Sequence, residues 1–241
     1  MKTALVTSST KGVGKEIALQ LLNEGYYVIV NYCSDDEGAR LLVESLPHKF
    51  HSKIMIIKCD LSSLEGIQMF CTAVKKYTNR LDCIVLNTGI TCYSDFPDIT
   101  LQEWEKVLNT NLTMPFFILE ELNRLLCNDG RIIFISSRMG DTPHGRSIPY
   151  AVSKAGVNML AKSLVKIYAH RNITVNTISI GFVDTDWHKT KTKEHIERIE
   201  NKIALKRLGT TKEVALLCKH IIENGYINGA TLNIDGGYDM C

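Results

Sequence analysis

The sequence lacks three features that mark other classes of protein: a strong excess of one charge, a long apolar run and a closely spaced pair of cysteines. The net charge of its 241 residues is only +2, which argues against strong attraction to nucleic acid or to a membrane surface. The longest apolar run, residues 114–119, is far too short to span a bilayer. The first residues lead directly into a predicted strand, so we expect no signal peptide.

The sequence contains eight cysteines, but their spacing argues against a structural zinc site. None of the eight cysteines stands three positions from another, as structural zinc sites commonly require. Several lie within apolar runs, where a free thiol packs as a small hydrophobic side chain. We therefore expect a reduced, cytoplasmic protein without structural zinc. His144 and His188 have no partner at a metal-binding spacing, and we interpret both as surface histidines.

Apolar strands and helices alternate along the whole chain, which indicates an α/β fold. Strands are predicted at 2–8, 27–32, 53–59, 82–87, 131–136, 173–180 and 230–234. The main helices are predicted after the first glycine-rich turn and at 64–77, 101–127, 150–169 and 212–224, with a possible kink at Pro115. No linker or repeat divides the chain. These patterns predict one domain, a doubly wound parallel sheet of seven strands.

Two short segments in the middle of the chain carry side chains suited to acid chemistry. Tyr150 and Lys154 are four residues apart, so on a helix they share one face. A nearby ammonium favours the phenolate, and we expect it to lower the tyrosine pKa from about 10. Ser137 ends an apolar run, where its hydroxyl can donate to a carbonyl oxygen that Tyr150 protonates. Because the tyrosine–lysine spacing is common on helices, it indicates a catalytic pair only in combination with the other motifs.

A glycine-bearing turn between the first strand and the first helix indicates a dinucleotide site. Glycine lets backbone N–H groups approach a pyrophosphate, and the N-terminus of a helix favours an anion. The pair Gly12 and Gly14 departs from the Gly-x-Gly-x-x-Gly spacing, and Ser8 stands where an earlier glycine is common.

The end of the second strand helps to distinguish the two nicotinamide dinucleotides. A carboxylate there accepts from a ribose 2′-hydroxyl and repels a 2′-phosphate. The segment 31–34 (Asn-Tyr-Cys-Ser) has no acid, whereas Lys11 in the glycine turn can reach a phosphate. The two acids that follow, Asp35 and Asp36, belong to a stretch 34–37 with the spacing of a capping box, which explains them as helix-start residues. If the helix starts later, one of these acids can turn toward the ribose and reverse the preference. NADPH/NADP+ is therefore predicted over NADH, with a solvated loop lysine as the alternative for Lys11.

Together these motifs resemble the short-chain dehydrogenase/reductase family over essentially the whole chain. The turn Thr7-Ser-Ser-Thr-Lys-Gly-Val-Gly14 is similar to the family's Thr-Gly-x-x-x-Gly-x-Gly, and Asn87-Thr-Gly89 to its Asn-Ala-Gly. Asn111 falls where the family has its structural and catalytic asparagine. The resemblance implies a single NAD(P)-binding, Rossmann-type domain over residues 1–241, in which residues 185–206 form a substrate lid.

The resemblance also implies roles for individual residues. Tyr150 would be the general acid in hydride transfer to a carbonyl, Ser137 would bind the developing alkoxide, and Lys154 would hold the nicotinamide ribose. Asn111 would position a water that links Lys154 to bulk solvent. The implied cofactor-binding residues are Ser9, Thr10, Lys11, Gly12, Val13, Gly14, Tyr32, Cys33, Ser34, Asp60, Leu61, Asn87, Gly89, Tyr150, Lys154, Val183 and Thr185.

Within the family, the likeness is greatest to the 3-oxoacyl-[acyl carrier protein] reductases of fatty acid biosynthesis and the acetoacetyl-CoA reductases. The segments 181–186 and 228–237 resemble theirs, and Arg171 lies where these enzymes carry an arginine that meets the acidic carrier protein. The implied substrate is the 3-oxo group of an acyl thioester, and the implied assembly is a homotetramer or homodimer.

The sequence departs from the family pattern at several positions. Ser8, Thr88 and Ile180 replace a glycine, an alanine and a proline, and no second arginine stands near Asn128. The carrier protein is therefore a less secure partner than a small-molecule substrate.

Two alternatives stay open. A reductase or dehydrogenase of a free small ketone, aldehyde, sugar or steroid would carry the same motifs, and activity against thioesters and free carbonyls would separate the two. A dinucleotide-binding sensor without turnover would not need the proton donor at Tyr150.

Overall fold

The computed structural model describes residues 1–142, 147–238 and 240, so His144 lies outside the described residues. Seven strands within these residues form one sheet in the order β3-β2-β1-β4-β5-β6-β7, and every pairing is parallel. The prediction of a doubly wound parallel sheet is therefore confirmed. The strands are β1 (Thr3–Val6), β2 (Tyr27–Tyr32), β3 (Ile54–Lys58), β4 (Leu81–Leu86), β5 (Leu126–Ser137), β6 (Thr174–Ile180) and β7 (Thr231–Ile234).

Helices cover both faces of the sheet and divide the core into two layers. Successive strand residues point to opposite faces, so Val28 and Val30 join one apolar cluster and Ile29 joins the other. The first cluster lies under α1 and α9, and the second under α4, α6 and α7. The helices are α1 (Gly12–Asn23), α2 (Asp36–Ser45), α3 (His48–His51), α4 (Leu64–Tyr77), α5 (Leu101–Leu108), α6 (Met114–Leu122), α7 (Ile148–Tyr168), α8 (Lys193–Asn201) and α9 (Thr211–Glu223).

The predicted helical stretch over 101–127 is found as far as Leu125, but it is not one regular α-helix. α5 ends at Leu108, and a π-helical turn (Asn109–Thr113) joins it directly to α6. Pro115 follows this turn at the start of α6, and its missing N–H cannot bond back into the turn, so the irregularity lies next to the residue where a kink was predicted. Such π-helical turns often occur at functional sites, and this one contains Asn111.

The start of α2 also differs from the prediction, because the N-cap is Asp35 and not Ser34. Oδ1 of Asp35 accepts a hydrogen bond from the backbone N–H of Gly38 at 3.3 Å. Oδ2 accepts from the Thr10 hydroxyl at 2.9 Å. Asp35 therefore caps α2 and also faces the glycine turn, which is the alternative that a later helix start left open.

β1 and β4 are neighbours in the sheet, but the chain after β1 leads to β2 on one side, and the chain after β4 leads to β5 on the other. In open α/β sheets, this reversal of strand order creates a crevice at the carboxyl edge. Among the residues described, no helix is both long enough and apolar enough to cross a membrane.

Candidate active site

A cleft of about 320 Å³ opens at the carboxyl ends of the strands, close to the lower end of the usual range for ligand pockets. Its walls come from the turn after β1, the ends of β4, β5 and β6, the start of α7 and the segment after β6. Of the predicted site residues, the cleft brings together Lys11, Gly12, Val13, Asn87, Gly89, Ser137, Tyr150, Lys154, Val183 and Thr185.

The remaining predicted residues do not line this cleft. Asn111 lies behind it, as described below. The others lie at or beyond the carboxyl ends of β1, β2 and β3: Ser9, Thr10, Gly14, Tyr32, Cys33, Ser34, Asp60 and Leu61. Ser9 and Leu61 are buried, and the Ser9 hydroxyl donates to the carbonyl of Val6 at 2.6 Å, so its side chain supports the turn.

Lys154 carries its ammonium into a buried position on α7. Its side chain is 3% exposed, and Nζ donates to the carbonyl oxygen of Ile135 at 2.8 Å. Burial lowers the pKa of Lys154 to about 8. Gly89 leaves room for this group, because a Cβ there would lie 3.4 Å from Nζ.

Tyr150 lies beside Lys154, but the expected lowering of its pKa is not found. Burial raises the pKa of Tyr150 to about 12, and the hydrogen bond with Ser137 counteracts only part of that rise. The Lys154 ammonium is 5.6 Å from the centre of the phenol ring and is directed at the carbonyl of Ile135. The phenol is therefore protonated at neutral pH, which is the form that can donate a proton.

Ser137 ends β5 and is held by the chain that follows it. Its hydroxyl oxygen accepts from the backbone N–H of Met139 at 3.2 Å. This contact leaves the hydroxyl proton free to be donated, either to Tyr150 or to an oxygen in the cleft.

Asn111 is fully buried, and its amide is occupied by protein partners. Oδ1 accepts from the backbone N–H of Ile90 at 2.8 Å, while Nδ2 donates to the Ile90 carbonyl at 2.9 Å and to the Ser153 hydroxyl at 3.0 Å. The Ser153 hydroxyl in turn donates to the carbonyl of Tyr150 at 2.7 Å. The side chain thus ties the loop after β4 to the first turn of α7. The sequence did not predict this contact, and the role of Asn111 in holding a water stays a prediction.

The glycine turn fits the pyrophosphate of a dinucleotide. Gly14 permits a close approach, because a Cβ there would lie 2.5 Å from both Nδ2 of Asn87 and the carbonyl oxygen of Ser8. Gly12 has φ of +57°, which a glycine adopts without strain. No side chain caps the N-terminus of α1, and its first turn contains no acid. Its first N–H groups can therefore bind an anion.

Asp35 lies beside the glycine turn, as the sequence analysis allowed if α2 began later than predicted. Its Oδ2 lies 3.9 Å from Nζ of Lys11, the cation predicted to meet a 2′-phosphate. A carboxylate thus stands beside the glycine turn even though none ends β2. The sequence signal for this position of Asp35 was the strong preference of aspartate for the N-cap of a helix. The second acid, Asp36, instead accepts from the Tyr32 hydroxyl and from Lys58.

The segment after β6 supplies two aromatic rings that the prediction missed. Trp187 lies with its ring centre 6.0 Å from that of Tyr150. His188 packs against Phe182, with ring centres 5.6 Å apart, and burial lowers its pKa to about 4. The interpretation of His188 as a surface histidine is therefore wrong. The sequence around His188 does not indicate this burial, because the contact with Phe182 depends on how the segment after β6 folds back.

Comparison with known proteins decides the family. The family model for short chain dehydrogenases matches residues 2–196. The chain belongs to the short-chain dehydrogenase family. It is accordingly an oxidoreductase that acts on a CH–OH or C=O group, and members of this family bind nicotinamide dinucleotides.

Three relatives illustrate the range of this family. Glucose 1-dehydrogenase 2 of Bacillus subtilis is 34% identical over 99% of this chain and 95% of its own length. A 3-oxoacyl-[acyl-carrier-protein] reductase of Aquifex aeolicus is also 34% identical, over 98% of this chain and 96% of its own. The structure of a short-chain dehydrogenase from Burkholderia cenocepacia in complex with NADP is 28% identical, with a TM-score of 0.91 over 98% of this chain and 96% of that one.

Among the residues described, no group of three or more histidine, cysteine or acidic side chains is placed to hold a metal ion.

Two departures from the family pattern contact each other. Ser8, which replaces a glycine, has φ of +49°, a left-handed conformation that non-glycine residues seldom adopt. Its hydroxyl lies 2.8 Å from the hydroxyl of Thr88, which replaces an alanine. The Ser8 N–H also donates to the side chain of Asn31 at 3.3 Å. These contacts offset the strain that a serine introduces into the turn.

We predict that Thr88→Ala destabilises the protein by about 1 kcal/mol, because the Ser8 hydroxyl loses its partner. The same substitution in the Ser8→Gly background should change the stability little. Urea unfolding of the two single variants, the double variant and the wild type measures this coupling. Equal costs of Thr88→Ala in both backgrounds would show that the two hydroxyls do not act as a pair.

Proposed function

We propose that this protein uses NADPH to reduce a carbonyl to an alcohol, with Tyr150 as the proton donor. The observation that carries the proposal is that the Tyr150 phenol, which hydrogen-bonds with Ser137, lies in the cleft next to the buried Lys154 ammonium, which is 5.6 Å from the centre of the phenol ring. When bound, a reduced nicotinamide supplies the hydride to the carbonyl carbon.

The side chains complete the reaction at the carbonyl oxygen. Ser137 donates a hydrogen bond to that oxygen and orients it toward Tyr150. Tyr150 gives its proton to the oxygen as negative charge develops there. The phenolate that remains lies near the Lys154 ammonium, whose charge makes this loss of a proton less costly. A non-catalytic sensor has no use for such a donor, which argues against that alternative.

We assign the rest of the cleft to the cofactor. The backbone of Gly12, Val13 and Gly14 would hold the pyrophosphate, and Lys154 would hold the nicotinamide ribose. Val183 and Thr185 line the cleft and would contact the carboxamide edge. Cys33 and Asp60 would flank the adenine; burial, followed by the neighbouring Asp60 carboxylate, raises the pKa of the Cys33 thiol.

An acyl thioester is the substrate that we propose. The cleft includes the apolar or aromatic side chains of Met139, Phe182 and Trp187, of which Trp187 lies beside Tyr150. These side chains suit an acyl chain better than the hydroxyls of a sugar, each of which needs a polar partner. The similarity to 3-oxoacyl-[acyl-carrier-protein] reductases supports a 3-oxo thioester, while the similarity to a glucose dehydrogenase maintains the sugar as the second candidate.

The position of Arg171 favours a CoA thioester for the first assay over a carrier-bound one. α7 has 21 residues and is therefore about 30 Å long, with Tyr150 near its start and Arg171 beyond its end. Arg171 donates to the Leu126 carbonyl and, at 3.4 Å, to Asn123. It therefore lies at the opposite edge of the sheet and is already occupied by its own chain. We further propose that the protein forms a homotetramer or homodimer, that it is cytoplasmic, and that residues 185–206 form a lid over the cleft.

We expect acetoacetyl-CoA to be reduced with NADPH more efficiently than small ketones, and glucose to be oxidised poorly with NADP+. Steady-state kcat/KM values across this panel, with both nicotinamide cofactors, measure the preference. Turnover of glucose alone would replace the thioester proposal. Cofactor binding without turnover of any substrate would favour the sensor.

Replacing Tyr150 by Phe should lower kcat by about 10²- to 10⁴-fold, because the ring remains and only the proton donor is lost. The dissociation constant of the cofactor, measured by NADPH fluorescence, should stay close to the wild-type value. Tyr226→Phe is the matched control, since Tyr226 is 98% exposed. Retention of most activity by Tyr150→Phe would remove this residue from the mechanism.

Lys11 and Asp35 should have opposite effects on cofactor choice. Lys11→Ala should weaken NADPH by about tenfold and leave NADH almost unchanged, because a charge-assisted hydrogen bond to the 2′-phosphate is lost. Asp35→Asn should strengthen NADPH by removing a like charge near that phosphate. Both effects should shrink as salt rises, since the Lys11 side chain is 62% exposed.

Dissociation constants for both cofactors check this prediction, with Lys166→Ala as a control on the exposed final turn of α7. Equal weakening of both cofactors by Lys11→Ala, or a wild-type preference for NADH, would contradict the assignment of NADPH.

A further inference from the structure

A charged pair beside the cleft has no part in the proposed chemistry. Arg138 directly follows Ser137, and its Nε lies 2.7 Å from Oδ2 of Asp235. The two side chains are only 14% and 12% exposed. Such burial removes water from both charges, and only close contact offsets that loss. Removal of either partner would leave the other charge poorly solvated.

Arg138 has further partners on the same side of the cleft. Its Nη1 lies 3.7 Å from Oδ2 of Asp141, and Nη2 donates to the Thr142 hydroxyl at 3.4 Å. Asp141 is itself held by Asn158 on α7, at 2.9 Å, and by Ser179 on β6, at 3.2 Å. The guanidinium is thus anchored to the framework that carries Ser137 and Tyr150.

Asp235 belongs to the chain that follows β7, where it contacts the residues leading toward the proposed lid. Gly181 packs so closely against it that a Cβ on Gly181 would lie 2.7 Å from Cα of Asp235. The Gly181 N–H also donates to the carbonyl of Ile234 at 2.9 Å. The chain therefore leaves β6 toward Val183 and Thr185 from a point fixed against Asp235.

The other end of the proposed lid attaches next to the same residue. Oδ1 of Asp235 accepts from the N–H of Gly237 at 3.0 Å. The carbonyls of Gly236 and Gly237 accept from Leu205 at 3.2 Å and from Ala204 at 3.4 Å. Asp235 thus lies where both ends of residues 185–206 meet the domain.

We propose that Arg138 is a positioning residue whose ion pair with Asp235 fixes both ends of residues 185–206 relative to Ser137. The pair sets where Trp187 and Thr185 come to rest over the cleft, although Arg138 itself does not take part in the chemistry. This inference relies on the proposed lid and on the proposed role of Ser137, but not on the identity of the substrate.

Trp187 provides a direct measure of the lid position. The sequence has two tryptophans, so a Trp104→Phe background leaves Trp187 as the only indole emitter. In that background we expect Arg138→Met and Asp235→Asn each to increase acrylamide quenching of Trp187 by about twofold, as its contact with Tyr150 loosens. This measurement needs no substrate, so failure of the proposed substrate would not affect it.

Kinetics supply the second measurement. Both variants should raise KM for the carbonyl substrate by about tenfold, with a smaller change in kcat and a smaller weakening of the cofactor, since Thr185 is assigned to its carboxamide edge. The double variant should be no worse than either single variant, because both remove the same bridge. Arg138→Lys, which retains the charge, should recover part of the loss in both measurements.

Arg40→Met is the matched control, because Arg40 pairs with Glu37 and Glu44 on the exposed surface of α2 and should change neither measurement. If Arg138→Met does not fold, Asp235→Asn and Arg138→Lys decide the question, since each keeps a polar partner at the site. Unchanged Trp187 quenching in the folded variants would overturn the proposal. Additive losses in the double variant would overturn it as well.

Discussion

The burial of Lys154 is the constraint on which the candidate site depends. A charge at 3% exposure needs a partner, and the Ile135 carbonyl provides one at the middle of the sheet. For Nζ to reach it, α7 must pack directly against β5. This packing brings Tyr150 and Ser137 together at the carboxyl edge of the sheet. The geometry of the site therefore depends on the burial of the Lys154 ammonium.

The same packing explains why the loop after β4 is held so firmly. Asn111 can satisfy both backbone groups of Ile90 and still bond Ser153 because the chain forms a π-helical turn at this point. A regular helix through 101–127 would have turned this side chain elsewhere. The irregularity of the helix therefore contributes to the geometry of the site.

Much of the fold could be predicted because its signals are local. Apolar strands, the glycine turn and the Tyr150–Lys154 spacing each specify structure within a few residues. Most errors occurred where burial or distant contacts decide. The burial of His188 and the raised pKa of Tyr150 depend on how the chain folds around these side chains. The N-cap bond of Asp35 to Gly38 is local, but the contact of Asp35 with Thr10 is not. The Arg138–Asp235 pair spans almost a hundred positions along the chain, so no sequence pattern could have joined these residues.

The contact between Ser8 and Thr88 also has a consequence for attempts to restore the family pattern at these positions. Glycine at position 8 would relieve the left-handed backbone strain, but it would leave the Thr88 hydroxyl without this partner. Alanine at position 88 would leave the serine strained and its hydroxyl without the same partner. The effect of a substitution at either position should therefore depend on the residue at the other, so the two positions are best changed together.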